Sequence, residues 1–289
     1  MFEFKRLSRR HFLLGGSAGL VLLPLSGFAR TGKFLSTAQC SVIPSETDGP
    51  YPAHSDERGV NYLSQPGAVR RDIRGSLISS QYPGLAVAVG VPLTMRMRIV
   101  DATKGCSPLE GAAVYVWHCD GRGDYSMYNE AVKTETYLRG VQIADQDGWV
   151  EFETIYPGCY ESRAVHIHFD VFKDAKLAVD NKSIAKISQF AFPDEVSAEV
   201  YGRNKEQYPN GLENLNQNPL NEDSIFADGY DLQVASIRSG TATAGLVAEI
   251  SVAVDPTNVE DVSSGGPPPG GGPGWPLPPP PGARPPRRP

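Results

Sequence analysis

Segments in which apolar and polar residues alternate recur along the middle of the chain. In the clearest of them, residues 93–99, apolar side chains alternate with Thr94, Arg96 and Arg98. A period of two is typical of a β-strand with one buried face. Further strands are predicted at residues 112–119, 149–155, 165–172 and 249–254, with Asp- and Gly-rich turns at 120–124 and 145–148. Many short strands separated by turns predict an all-β fold, a β-sandwich.

Helical pattern is confined to one segment, residues 194–201. Pro193 and Asp194 suit the start of a helix, and Gly202 suits its end. The chain has 289 residues, of which 40% are apolar, enough for the core of one large domain or two small ones. We expect the sandwich to occupy residues 30–262, with short helical and loop insertions.

The first 29 residues have the pattern of an export signal. Arg9 and Arg10 precede an apolar run at 13–25, and Gly27 and Ala29 suit a signal peptidase. An uncleaved membrane anchor is the alternative, but the run is shorter than the ~20 residues of a spanning helix and contains Pro24. We therefore predict a twin-arginine signal peptide, export to the periplasm or beyond, and no transmembrane span in the mature form.

The other end of the chain, residues 263–289, is almost entirely Gly and Pro and finishes with Arg287, Arg288 and Pro289. Such a composition cannot bury enough apolar surface to fold, which predicts a disordered or polyproline-like tail. Attachment to a wall or membrane surface is the functional alternative.

Net charge excludes one class of partner. The formal charge is −6, and removing residues 1–29, with four basic side chains and one acidic, would make it −9. An acidic protein is a poor binder of nucleic acid, so we expect no nucleic-acid partner.

Four cysteines are present, Cys40, Cys106, Cys119 and Cys159. In an oxidising compartment an even number permits disulfides, here in three pairings. A bond between Cys106 and Cys119, which flank one loop and strand, is favoured. Cys159 is equally consistent with a buried free thiol.

Two histidines lie two residues apart in one predicted strand. Because side chains alternate along a strand, His166 and His168 project to one face, and the apolar residues around them project to the other. Tyr160 precedes this pair by six residues, and Tyr125 lies further upstream. Buried imidazoles need partners, so we expect the pair to bind a metal ion.

The two phenols determine which metal fits. Imidazoles alone suit zinc, copper or iron. A phenolate is a hard anionic donor that favours Fe(III), whereas zinc sites in proteins draw on Cys, His and carboxylates. Two phenolates and two imidazoles also leave coordination positions open for substrate. This donor set predicts one non-haem Fe(III) per chain.

Several motifs carry a resemblance to a known family. They are Thr47-Asp48-Gly49-Pro50-Tyr51, Pro108-Leu109-Glu110-Gly111-Ala112 leading to Val116-Trp117-His118, Gly123-Asp124-Tyr125-Ser126, Ile155-Tyr156-Pro157-Gly158-Cys159-Tyr160, and Arg163-Ala164-Val165-His166-Ile167-His168. In this order and spacing they resemble the intradiol ring-cleaving dioxygenases, which act on catechols and protocatechuate. The resemblance extends over roughly residues 40–230.

This resemblance implies that Tyr125, Tyr160, His166 and His168 are the iron ligands. It implies a reaction in which a catechol displaces the phenolate of Tyr160, which takes up a catechol proton. Dioxygen then opens the ring, and the product is a cis,cis-muconate that contains both oxygen atoms.

The resemblance also assigns residues around the iron. Arg163 is expected to support negative charge on the ring, and Gln189 to lie beside the substrate. Pairing of Arg163 with an acid such as Glu161 is the alternative. Trp117 is expected near the iron, and the segment expected to cross the mouth of the pocket consists of Gly49, Pro50 and Tyr51.

The chain departs from the family between Tyr160 and His166, where it is shorter than the well-known enzymes, and in having no helical dimerisation segment before the sandwich. Pocket shape and homo-oligomerisation are therefore open.

Two other functions are compatible with the sequence. One is a zinc-dependent hydrolase built on the histidine pair. The other is a secreted metal-binding or aromatic-ligand-binding sandwich without turnover. Tyr128 and Tyr156 are the phenols most easily mistaken for ligands, and His54 and His118 are expected to be satisfied surface or core groups, with a weaker possibility that His118 supports the metal site.

Overall fold

The computed structural model describes residues 40–55, 60–240 and 245–260. The signal predicted at residues 1–29 and the tail predicted at 263–289 both lie outside the described residues. Within the part of the chain that is described, no helix has the length and apolar character needed to cross a bilayer.

The described residues form two β-sheets, which confirms the all-β prediction. In chain order the strands are β1 (Pro92–Asp101), β2 (Ser107–Pro108), β3 (Ala113–Trp117), β4 (Arg139–Ile143), β5 (Trp149–Ile155), β6 (His166–Phe172), β7 (Ile184–Ala191), β8 (Ser236–Ser239) and β9 (Leu246–Val254). The five-stranded sheet has the order β2-β1-β9-β8, with β5 also paired to β1. The four-stranded sheet has the order β4-β3-β6-β7, and each of its pairs is antiparallel.

The sheets pack face to face over one apolar core. Met95 and Met97 of β1 meet Ile167 and Phe169 of β6 there, and all four are fully buried. Burial of this area is the main favourable term, and truncating a core residue such as Phe169 to alanine typically costs about 3–5 kcal/mol. The opposite face of the four-stranded sheet is covered by a second cluster, to which Tyr115, Trp117 and Tyr125 contribute.

Short helices connect the strands. They are α1 (Asp194–Arg203), α2 (Gly211–Gln217) and three 3-10 turns at Ala102–Lys104, Ala175–Leu177 and Leu220–Glu222. The helix predicted at 194–201 is α1, whereas α2 was not predicted. Because α2 is short and carries only two leucines, with a glycine, two asparagines and a glutamine, it lacks the apolar period that indicates a helix.

The alternating pattern located the strands well. The prediction at 149–155 coincides with β5, and the other predicted strands overlap β1, β3, β6 and β9. Strands β4, β7 and β8, and the two-residue strand β2, were not predicted. The first two are buried along much of their length, so the alternation that marks a strand with one exposed face is weak in them.

The predicted disulfide bond between Cys106 and Cys119 is not formed, so that prediction is wrong. Cys106 is bonded to Cys40, with 5.5 Å between their Cα atoms. Cys119 and Cys159 are buried free thiols, and the Cys119 Sγ approaches the Gly158 carbonyl at 3.5 Å. Cys119 is buried two residues after the end of β3, whereas Cys106 lies in the turn after Ala102–Lys104, so proximity in sequence did not bring them together.

Candidate metal centre

Strand β6 presents its two histidines on the face that the main core does not use. Its apolar residues Ile167 and Phe169 point into the sandwich core, and both imidazoles point the other way, as the alternation predicts. Trp117 of β3 and Gln189 of β7 lie directly opposite His168 on either side. Facing residues in antiparallel strands project to the same side, which places all three side chains at the site.

Four donor atoms from three segments meet beside β6. The Nε2 atoms of His166 and His168 are 3.0 Å apart. The Tyr160 hydroxyl lies 3.2 Å and the Tyr125 hydroxyl 3.5 Å from the His166 Nε2, with 3.5 Å between the two hydroxyls. The predicted donor set is therefore gathered around one point.

Hydrogen bonding fixes which nitrogen of His166 is free. Its Nδ1 is 2.7 Å from the carbonyl oxygen of Ala164, and a carbonyl can only accept, so Nδ1 carries the proton. Nε2 then presents its lone pair to the other donors. Burial, reinforced by the charge of Arg163, lowers the pKa of His166 to about 3. A neutral imidazole with a bare nitrogen is the form that binds metals.

His168 is held mainly by ring stacking. Its ring lies parallel to the indole of Trp117, with centroids 4.9 Å apart and an interplanar angle of 8°. Burial, with a smaller contribution from His166, holds the pKa of His168 well below its usual range. His168 is thus also neutral.

The two phenols reach the site through tight turns. The Asp120 carboxylate accepts from the backbone N–H groups of Arg122 and Asp124, which shapes the turn before Tyr125. Gly123 in this turn has φ of +92°, and a side chain there would come within 2.9 Å of the Tyr160 Cβ. Glycine is therefore needed both for the backbone conformation and for the approach of the second phenol.

The hydroxyls of Tyr125 and Tyr160 are weaker acids in this site than in water. Burial raises the pKa of Tyr125 well above its usual value and raises that of Tyr160 to about 12. Each would be a neutral phenol at pH 7 without a cation beside its oxygen. A bound cation of high charge would supply the stabilisation that phenolate formation requires.

The segment expected at the pocket mouth lies against the ligand rings. Gly49 has φ of +67°, and a Cβ there would be 3.3 Å from Cε1 of His168. Tyr51 stacks on Tyr125 with ring centroids 4.7 Å apart. Pro50 is exposed between them. Gly49 and Tyr51 therefore touch two of the predicted ligands.

Arg163 lies beside the donor atoms, buried and held by two polar side chains. Its Nη1 is 3.5 Å from Nε2 of His166, and its Nη2 donates to the Gln189 Oε1 at 2.6 Å. The Nε donates to the Asp223 Oδ2 at 3.0 Å. The acid paired with Arg163 is thus Asp223, and not Glu161. The predicted residues Arg163 and Gln189 are in direct contact.

Some residues near the site carried no sequence signal. Arg139, fully buried, donates to the carbonyl oxygens of Tyr51 and Ser126, each at 2.9 Å, and so ties the mouth segment to the loop that carries Tyr125. Such contacts join segments far apart in sequence, and no local motif marks them.

His54 also differs from its expectation. It is 1% exposed, yet neither ring nitrogen has a hydrogen-bond partner among the described residues. Its Nε2 faces the carboxylates of Asp48 and Asp170, at 3.4 and 3.7 Å. His118, by contrast, is a satisfied core histidine bonded to the Cys119 carbonyl and the Thr154 hydroxyl.

The donor set fits a hard trivalent metal ion. Among the residues that the structure describes, no group of three or more His, Cys, Asp and Glu side chains is placed to hold a metal. The groups that join the two imidazoles are phenols, which suit Fe(III). His166, His168, Tyr125 and Tyr160 would hold the ion.

Part of this sequence is similar to known proteins, and the fold is also found in solved structures. Residues 77–179, which include all four donor side chains, match the family model described as Dioxygenase. The chlorocatechol 1,2-dioxygenase of Rhodococcus opacus is 33% identical over 89 residues, which is 27% of this chain and 35% of that protein. The intradiol ring-cleavage dioxygenase from Tetranychus urticae has the same fold, with a TM-score of 0.55 and 24% identity over 77% of this chain and 98% of that one. The chain is thus similar to catechol and chlorocatechol dioxygenases over part of its sequence, and it has the fold of an intradiol ring-cleavage dioxygenase.

Similarity to these dioxygenases in sequence is confined to part of their length. The catechol 1,2-dioxygenase of Candida albicans is 36% identical over 75 residues, or 26% of this chain and 24% of that protein. The chain thus spans about a third or less of the curated dioxygenases it matches. The family model, by contrast, has a defined range, residues 77–179, which contains all four predicted ligands.

Proposed function

We propose that this protein is a non-haem Fe(III) intradiol dioxygenase that cleaves a catechol-type ring with dioxygen to a cis,cis-muconate-type dicarboxylic acid. The observation that carries the proposal is the convergence of three donor atoms on the His166 Nε2: the His168 Nε2 and the hydroxyls of Tyr160 and Tyr125 lie 3.0–3.5 Å from it. The family-model match over residues 77–179, which include all four donor side chains, supports it, and so does the partial sequence similarity to catechol and chlorocatechol dioxygenases.

Within this proposal the two phenols have different roles. Tyr125 is 1% exposed and stacked under Tyr51, whereas Tyr160 is half-buried and therefore closer to solvent. Tyr160 is the phenol that an incoming catechol can replace. A displaced Tyr160 oxygen, whose pKa is raised to about 12, is basic enough to take the proton of a catechol hydroxyl.

Arg163 is placed to interact with the bound ring. Its Nη1 lies 3.5 Å from the His166 Nε2, so this N–H can donate a hydrogen bond to an oxygen held beside the histidines. A buried guanidinium stabilises negative charge that develops on the ring. Fe(III), if held by the two histidines and two tyrosines, would supply the electron-accepting chemistry that makes a catechol ring reactive toward dioxygen.

Oxygen consumption by iron-loaded protein tests the proposal. We expect uptake with at least one member of a panel of catechols, an ultraviolet spectrum of a muconate product, and a visible absorption band from ferric phenolate. A colourless protein that binds zinc would favour a hydrolase. Iron-loaded, coloured protein without oxygen uptake on any catechol would favour a binding module, and either result would remove the dioxygenase proposal.

We also propose that the protein is exported by the twin-arginine route to the periplasm or beyond. The signal-like pattern at residues 1–29 supports this, and so does the Cys40–Cys106 bond, since disulfides persist in oxidising compartments. Replacing Arg9 and Arg10 by lysine is expected to retain the protein in the cytoplasm. Unchanged export in fractionated cells would contradict the proposal.

A further inference from the structure

The three hydrogen-bonding nitrogens of Arg163 point to three different partners. Nε donates to Asp223, Nη2 donates to Gln189, and Nη1 faces the His166 Nε2 at 3.5 Å. Gln189 is itself fixed, because its Nε2 donates to the carbonyl oxygen of Thr47 at 2.6 Å. Two nitrogens are therefore occupied by fixed acceptors, and the third is directed at the donor atoms.

Asp223 is held in a turn that leaves it little freedom. Its Oδ2 accepts the Ala164 N–H at 2.6 Å as well as the guanidinium, and its Oδ1 accepts the Ile225 N–H at 2.8 Å. Its side chain is fully buried. The same turn brings the ring of Phe226 under the guanidinium, 5.7 Å from the Arg163 Cζ. Both oxygens of the Asp223 carboxylate are thus held by backbone N–H groups, Oδ2 by that of Ala164 and Oδ1 by that of Ile225.

We propose that Asp223 is a positioning residue of this site, which holds Arg163 by Nε so that Nη1 faces the bound ring, and whose negative charge offsets that of the guanidinium. The inference rests on the proposed dioxygenase function and extends it to a residue 60 positions from Arg163 in sequence. Asp223 acts only through Arg163. It touches none of the four donor side chains in a hydrogen bond that the structure records.

Two consequences follow from this arrangement. Without Asp223 the guanidinium keeps only the hydrogen bond from Nη2 to Gln189 and can rotate about it, so Nη1 no longer faces the ring and the chemical step slows. It also becomes an uncompensated buried cation, so the site becomes more attractive to an anion. The second consequence is a gain of affinity, and general damage to the fold produces no such gain.

The first test compares Asp223→Asn with Asp194→Asn in iron-loaded protein. Asp194 provides a matched control, because its carboxylate also caps a backbone N–H in this region, that of Leu220 at 3.0 Å, without contacting Arg163. We expect kcat of Asp223→Asn to fall by about 10- to 100-fold, as when a charge-stabilising donor is displaced. KM, iron content and the visible band should stay close to wild type. Equal kcat in the two variants would overturn the proposal.

The second test measures binding of benzoate and of its neutral analogue benzamide by titration calorimetry. Asp223→Asn is expected to bind benzoate about tenfold more tightly than wild type, equivalent to about 1.4 kcal/mol, with benzamide affinity unchanged. An unchanged ratio of the two affinities would overturn the charge part of the proposal. This measurement needs no turnover, so it tests Asp223 even if wild type consumes no oxygen with any catechol.

Asp223→Glu provides a second variant should the asparagine protein fail to fold. It keeps the charge but displaces the carboxylate by one methylene. We expect a wild-type ratio of benzoate to benzamide affinity together with a reduced kcat. Wild-type kcat in this variant would overturn the positioning role.

Discussion

His166 and His168 face each other through their Nε2 atoms, 3.0 Å apart, at the point where both phenol oxygens arrive. Both rings are neutral, because burial lowers the pKa of each. Two neutral imidazoles with facing nitrogens need a shared cation or proton between them. This relationship supports the proposed binding of a metal ion at this strand.

Substitutions of His168 and Tyr160 should have different effects, because His168 is proposed to hold the iron and Tyr160 to be replaced by the substrate. We expect His168→Ala to lose most of its iron, since no described side chain would replace the lost nitrogen. Tyr160→Phe should retain much of the iron and slow turnover, because the proton acceptor is gone. Iron content and oxygen uptake measure the two effects. Tyr156→Phe is the control, because the Tyr156 hydroxyl bonds Ser197 in the core; equal activity of the two ligand variants would contradict the assignment.

Glycine should be required at position 49 because a side chain there would crowd His168, and less because of its left-handed backbone conformation. Gly49→Ala introduces a Cβ 3.3 Å from the His168 Cε1 at φ of +67°. Gly111→Ala is the matched control, with φ of +80° and no atom within 4 Å of the new Cβ. Each should lose about 1 kcal/mol through the left-handed backbone. Only Gly49→Ala should also weaken iron binding, as followed by the visible band during chelator titration; equal iron affinity in both would show that the contact is tolerated.

Glu46 should make the protein less stable as the pH rises. Burial raises the pKa of Glu46 to about 7 from 4.5, despite the hydrogen bond it accepts from Gln233. Between these values the unfolded chain releases the proton and the folded chain keeps it, so the free energy of unfolding falls as pH rises from about 4.5 to 7.

Glu46→Gln should reduce that slope, because glutamine keeps the oxygen acceptor and does not titrate. The effect should be on the order of 2–3 kcal/mol across the window. Denaturant unfolding of both proteins at pH 5, 6, 7 and 8 measures it. Asp170, whose pKa burial also raises to about 7, should leave some slope in the variant. An identical slope in wild type and variant would exclude the buried carboxyl of Glu46 as its cause.

The Cys40–Cys106 bond should stabilise the described domain. It joins residues 66 positions apart, and closing a loop of that size lowers the entropy of the unfolded chain by the equivalent of about 4 kcal/mol. We expect a reductant to lower the urea midpoint of wild type. The double variant Cys40→Ser, Cys106→Ser should start at the lower midpoint and not respond to reductant. A response in that variant would implicate Cys119 and Cys159 instead.

The sequence was informative where a contact is local or follows a repeated pattern. Alternation located β5 to the residue and placed His166 and His168 on one face of β6. The contact of Arg163 with Asp223 could not be predicted in this way, because the two residues are 60 positions apart and Asp223 lies in a turn without a motif. The Cys40 partner of Cys106 was missed for the same reason, since neither spacing nor composition distinguishes it from Cys119.

Strand β6 assigns its two faces to separate tasks. Ile167 and Phe169 pack in the core between the two sheets, whereas His166 and His168 lie on the opposite face, which loops cover. Substitutions in those loops can reshape the pocket without disturbing the interior on which folding depends. A scaffold of this kind can acquire a new aromatic specificity by small steps, each of which leaves a protein that still folds.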